Sequence, residues 1–140
     1  MAPTNRTDVL AGLRGPALVG AAGLGAAALL RFRDPHDSGT YGFCPFETLT
    51  GLPCPGCGGL RAVNDLTRGD LVAAVSSNLF AVLLVATFGV LWVVWLVRRA
   101  RGQRGAQLVR VSTRAGLAVL LVFLVFGVLR NTPWGAWLAP

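Results

Sequence analysis

Lysine is absent from these 140 residues, histidine occurs once, and the acids number six. So few bases and carboxylates, with no nucleophile motif and no phosphate loop among them, exclude the common hydrolytic constellations. Charge of any kind is scarce at 14%, where a soluble domain carries about a quarter of its residues as Asp, Glu, Lys and Arg. An ordinary soluble surface is therefore excluded as well. Cysteine occurs three times, and every copy falls between Cys44 and Cys57.

What the chain does have is oil and arginine. Hydrophobic residues make up 54% of it, and its mean hydropathy is +0.60. The net charge of +7 comes from thirteen arginines. They flank apolar runs, where orienting a membrane protein is a commoner use than binding nucleic acid, and no nucleic-acid partner is expected. Three stretches are candidate spans, at about 9–30, 71–97 and 114–130. The first is short at its apolar core and rich in Ala and Gly. A cleaved signal peptide is its rival reading; a retained helix is favoured because the run leads straight into Arg31 without an obvious cleavage site. Ala21 with Gly25, and Ala22 with Ala26, form small-residue pairs that would admit a helix of another membrane protein or of a second copy. The fold expected is an all-α membrane protein with one domain, residues 1–140. Its three transmembrane helices are joined, between the first and second, by a cysteine loop (43–62) and a short interfacial helix.

Orientation follows from the arginines. Arg98, Arg99, Arg101, Arg104, Arg110 and Arg114 crowd one short link without an acid, and links of that kind stay cytoplasmic. The N-terminus is then cytoplasmic and residues 31–70 lie outside. That outer stretch carries Arg31, Arg33, Arg61 and Arg68, a weaker concentration over a longer segment. Trp92, Trp95, Trp134 and Trp137 read as interfacial anchors.

The outer stretch contains "CPFETLTGLPCPGCGGLRA". Proline and glycine around Cys54 and Cys57 favour a tight reversal of the kind that presents two sulfurs side by side. The residues between Cys44 and Cys54 read as a loop returning through a Thr50-Gly51 turn, so that three sulfurs meet. "LRAVNDLTR" reads as a short amphipathic helix with Arg61 and Asp65 at i,i+4, ended by Gly69, and Asp70 is placed to cap the second span. Cys57, just before that helix and near Arg61, is expected to favour its thiolate. Arg61, Asp65 and Asp70 either support the site or form the wet face of an interfacial helix. Asn78, inside the second span, bonds another helix or local groups.

The run C-P-F-x-x-L-T-G-x-x-C-P-G-C-G-x-x-R-A, followed by Gly69-Asp70 and an apolar helix, resembles a bacterial membrane family catalogued as domain of unknown function 2752. A weaker likeness extends to the tail "RNTPWGAWLAP". The resemblance implies a bacterial plasma-membrane location and brings no activity. Members usually carry Thr where this chain has Leu60, and Asn-Pro where it has Asn78-Leu79. The second departure suggests a less kinked helix.

Three readings of the cysteines follow. Cys44, Cys54 and Cys57 bind zinc or iron, with His36, Asp37, Asp65 or water as fourth donor, in a structural or accessory protein that is no enzyme. Cys54 and Cys57 form a redox couple in an envelope thiol–disulfide oxidoreductase, with Cys44 as resolving partner. Or two of the three form a plain disulfide. A transporter would need oligomers, because three spans are few for a pathway.

Overall fold

The structure is a computed structural model that describes residues 6–37, 39–103, 105–108 and 112–138. The elements among them are helical: α1 (Arg6–Phe32), α2 (Pro45–Thr50), α3 (Gly59–Arg68), α4 (Leu71–Ala100), α5 (Thr113–Leu129) and a terminal 3₁₀ helix (Pro133–Leu138). There is no strand among the described residues. Two stretches are long and apolar enough to cross a membrane, Ala11–Phe32 and Leu71–Ala100; α5 is a shorter apolar helix. At 1.5 Å per residue α5 measures about 25 Å.

The chain divides into two compact units. One comprises Met1–Ala26 and Ala86–Arg110. Two indoles organise it. Trp92 Nε1 donates to the Pro16 carbonyl at 2.9 Å, and Trp95 Nε1 donates to the Ala106 carbonyl at 3.0 Å. Gly20 is small for a reason: a Cβ there would come within 2.7 Å of the Trp92 ring. These two tryptophans, read as interfacial anchors, have their polar tips bonded inside the unit. The small-residue pairs Ala21/Gly25 and Ala22/Ala26 lie on an exposed face instead. Arg104 and Arg110 of the basic link lie outside the described residues.

The other unit comprises Ala27–Val85 and Val111–Pro140. Its small core is Ala62, Ala74 and Val82, with Leu66, Val75 and Ala81 against it, so α3 lies on the first turns of α4. Phe80 of α4 meets Phe123 and Phe126 of α5, with ring centroids 5.3 and 5.8 Å apart. Asn64 of α3 is fully buried and donates to the Leu30 carbonyl at 2.6 Å. That carbonyl lies in the last turn of α1, where helices leave acceptors without partners.

Helix ends obey local chemistry. Gly69 takes a left-handed conformation (φ 79°) that closes α3, and its N–H bonds back to Asp65 and Leu66. Asp70 then caps α4, accepting the Ala73 N–H at 2.9 Å. Two expectations are corrected. Residues 45–50 form the helix α2 rather than a plain loop: Pro45 presets the first turn, and left-handed Gly51 (φ 69°) ends it. And α4 is kinked at Asn78 (φ −167°, ψ 97°) despite having no proline there. Asn78 acts as an internal cap, its Oδ1 accepting the Ala81 N–H at 2.9 Å, so the second part of α4 restarts as a new helix.

Polarity in this unit runs inside out. Asn64, Asp65, Asn78 and Arg130 are buried, while Leu117, Leu121, Val122 and Val128 of α5 are exposed.

Candidate metal centre

Cys44 is the residue before α2 and Pro45 opens the helix, so its sulfur stands at a fixed helix start. After Gly51 the chain returns as Pro53-Cys54-Pro55-Gly56-Cys57-Gly58. Two successive turns shape this knuckle: the Cys57 N–H donates to the Cys54 carbonyl at 3.1 Å, and the Gly59 N–H to the Gly56 carbonyl at 3.0 Å. Gly58 adopts φ 80°, a conformation that suits glycine, and leads into α3.

The knuckle is pinned from behind. Arg130, at the end of α5 and 2% exposed, donates through Nη1 to the carbonyls of Cys54 (2.8 Å) and Cys57 (3.0 Å). Asn78 Nδ2 donates to the carbonyls of Pro55 and Cys57, each at 3.0 Å. Asn131 Nδ2 reaches the Pro53 carbonyl at 3.0 Å. Gly127 lets α5 approach this closely, since a Cβ there would stand 3.1 Å from the Pro55 ring. A turn built of prolines and glycines thereby becomes rigid.

The result is a convergence of sulfur. All three sulfurs lie within 4.8 Å of one another. Cys54 Sγ and Cys57 Sγ are 3.0 Å apart as free thiols. Around a tetrahedral ion at about 2.3 Å, thiolate sulfurs stand about 3.8 Å apart, so shifts of about an ångström would seat all three on one ion. Glu47 extends from the first turn of α2 and places Oε2 3.5 Å from Cys57 Sγ. Cys44, Cys57, Glu47, Tyr41, Gly58 and Arg61 are among the residues lining a cavity of about 600 Å³ that opens to solvent.

The thiols differ electrostatically. Cys44 lies below the usual thiol value, because the Glu47 backbone N–H and then the sulfurs of Cys57 and Cys54 favour its thiolate. Cys57 is pushed up, first by burial and then by its hydrogen bonds with Cys54 and Cys44. The expectation that Cys57 favours its thiolate is therefore corrected. Its position before α3 does not outweigh desolvation beside two other sulfurs.

The remaining residues singled out in the sequence lie as follows. Arg61 lines the cavity with Cys44 and Cys57. Asp65 is buried away from the sulfurs, accepting from Ser77 Oγ at 2.9 Å and standing 3.4 Å from His36 Nε2, rather than pairing with Arg61. Asp70 is the α4 cap. His36 bonds Asp34 through Nδ1 at 2.8 Å, and Arg68 holds Asp34 through Nη2 at 2.7 Å. Asp34 is held below the usual carboxylate range by the His36 backbone N–H and ring, with Arg68 adding to them. Neither His36, Asp37 nor Asp65 joins the sulfur group.

Sequence reasoning missed Glu47, Arg130 and Asn131, and gave Asn78 no link to the cysteines. Glu47 carried a signal, three residues after Cys44 and at the start of a proline-led turn. Arg130 and Asn131 carried none beyond their place in the tail.

No curated protein and no solved structure matches this chain. Residues 44–92, which hold the three cysteines and Asn78, match the family described as Protein of unknown function (DUF2752).

Proposed function

We propose that this is a small multi-pass membrane protein whose three cysteines bind one metal ion, zinc or iron, in a structural or accessory role rather than a catalytic one. The observation that carries the reading is the convergence of all three sulfurs within 4.8 Å. Cys44 would ligate from the start of α2, and Cys54 and Cys57 from the knuckle. The bound ion supplies a crosslink between two segments that share little apolar core. Three thiolates and a divalent ion carry one net negative charge, and the Arg130 guanidinium behind the knuckle offsets it. Asn78, Arg130 and Asn131 fix the carbonyls of the turn, so its sulfurs meet the ion in a set orientation.

The membrane reading treats residues 1–140 as one domain with spans at 9–30, 71–97 and 114–130. Its support is the length of α1 and α4, the apolar outer face of α5 and the buried polar groups. Arginine asymmetry argues for a cytoplasmic N-terminus and an external 31–70 in a bacterial plasma membrane. An alkaline phosphatase fused after Ser38 should be active, and one fused after Gly102 inactive. The reverse pattern would overturn the orientation.

Cysteine substitution tests the metal reading. Each of Cys44→Ser, Cys54→Ser and Cys57→Ser should abolish metal retention as completely as the triple change, because a shared site fails as a unit. If Cys44→Ser keeps its metal while the other two lose it, the site is a two-cysteine couple and the three-ligand proposal is wrong.

A further inference from the structure

We infer that the protein supplies only three of the ion's donors and leaves the fourth position to an exchangeable outside ligand, which enters from the cavity beside Cys44 and Cys57. The inference rests on the metal reading above. Closed structural zinc sites use four protein donors, whereas sites with three keep a position for water or substrate. Among the described residues, no other His, Cys, Asp or Glu places a donor atom within 4.8 Å of all three sulfurs. The near candidates are committed elsewhere. His36 bonds Asp34 and faces Asp65, and Asp65 accepts from Ser77. Glu47 Oε2 is 3.5 Å from Cys57 Sγ but does not join the group in which all donor atoms lie within 4.8 Å of one another.

The surroundings say what could enter. Two of the three cysteines line the cavity of about 600 Å³, a size that accommodates a small molecule. Its charged lining side chains are Arg61 and Glu47, and its hydroxyls are those of Tyr41 and Thr48. The cavity also reaches Gly58 and Gly59 at the start of α3, where no side chain caps the helix. Arginine and uncapped amides favour a small anion. Glu47, beside the same position, is suited to accept a hydrogen bond from a bound water. The exchange is a ligand substitution: water leaves the ion as the anion binds, with no change of oxidation state.

Cobalt reports both steps separately. The full chain, purified in detergent and loaded with Co²⁺, should show thiolate-to-cobalt charge transfer in the near ultraviolet and tetrahedral bands in the visible. Sodium azide should then shift the visible bands saturably, leaving the charge transfer in place. Arg61→Gln should weaken azide binding by about two- to fivefold, the range expected for an exposed charge pair. Glu47→Gln, which removes a negative charge from beside the incoming anion, should tighten azide binding. Absence of charge transfer would overturn the metal reading and this inference together. Charge transfer with visible bands indifferent to azide would overturn the inference alone. So would an azide response gained only in Glu47→Gln, because it would make Glu47 the fourth ligand.

Discussion

Arg130 does more than its place at the end of an apolar helix suggests. Its buried guanidinium gives two hydrogen bonds to the knuckle, lies over the Phe126 ring at 5.2 Å, and sets a positive charge behind three thiols. Truncating it leaves the carbonyls of Cys54 and Cys57 short of a donor and opens a void. Arg130→Ala should cost about 2–3 kcal/mol, as expected for hydrogen bonds to a charged group. Arg130→Lys should recover only part of that, since an ammonium loses the planar guanidinium's contact over the Phe126 ring. Denaturant unfolding of the three proteins in one detergent checks the order; an unchanged Arg130→Ala would refute the role. The two sides of this site were unequally legible. The cysteines declare themselves because fourteen residues of proline- and glycine-rich chain, 44–57, hold all of them. Arg130 meets the knuckle across a separation of 73 to 76 residues, and no local pattern encodes such a contact.

Elements begin and end where short-range chemistry says. Gly69 and Asp70 announce a break that the structure places between α3 and α4, because a left-handed glycine and a capping carboxylate act within one turn. Asp70→Ala should therefore lower stability by about 1 kcal/mol without altering metal content. The same unfolding measurement checks it, and a loss of metal alongside would contradict a purely capping role. α2 was less legible: threonines, a glycine and two flanking prolines have loop composition. Its ends are set by Pro45 in the first turn and left-handed Gly51 after the last, while the Thr48 and Thr50 hydroxyls bond back locally to the carbonyls of Cys44 and Phe46. The kink in α4 teaches a similar lesson. Proline is one way to free backbone groups inside a helix, and an asparagine that caps the restart while bonding a neighbouring loop is another.

In the larger unit, apolar side chains face outward from α5 while amides and charge are buried beside a sulfur site. Such an interior has little hydrophobic core to organise it, so a ligand that binds the folded form contributes directly to its stability. The all-helical class was readable from the sequence, because long uninterrupted apolar runs form the long helices α1 and α4. The partnership of knuckle, α4 and α5 was not, being set by packing between distant segments. The claim on which the account turns is that the three cysteines of one chain hold one metal ion. Intact native mass with elemental analysis, on protein purified without reductant or chelator, tests it most directly. About one zinc or iron per chain is expected, with a mass in which none of the three cysteines is oxidised. A chain without metal and lighter by two hydrogens would contradict it and identify a disulfide in its place.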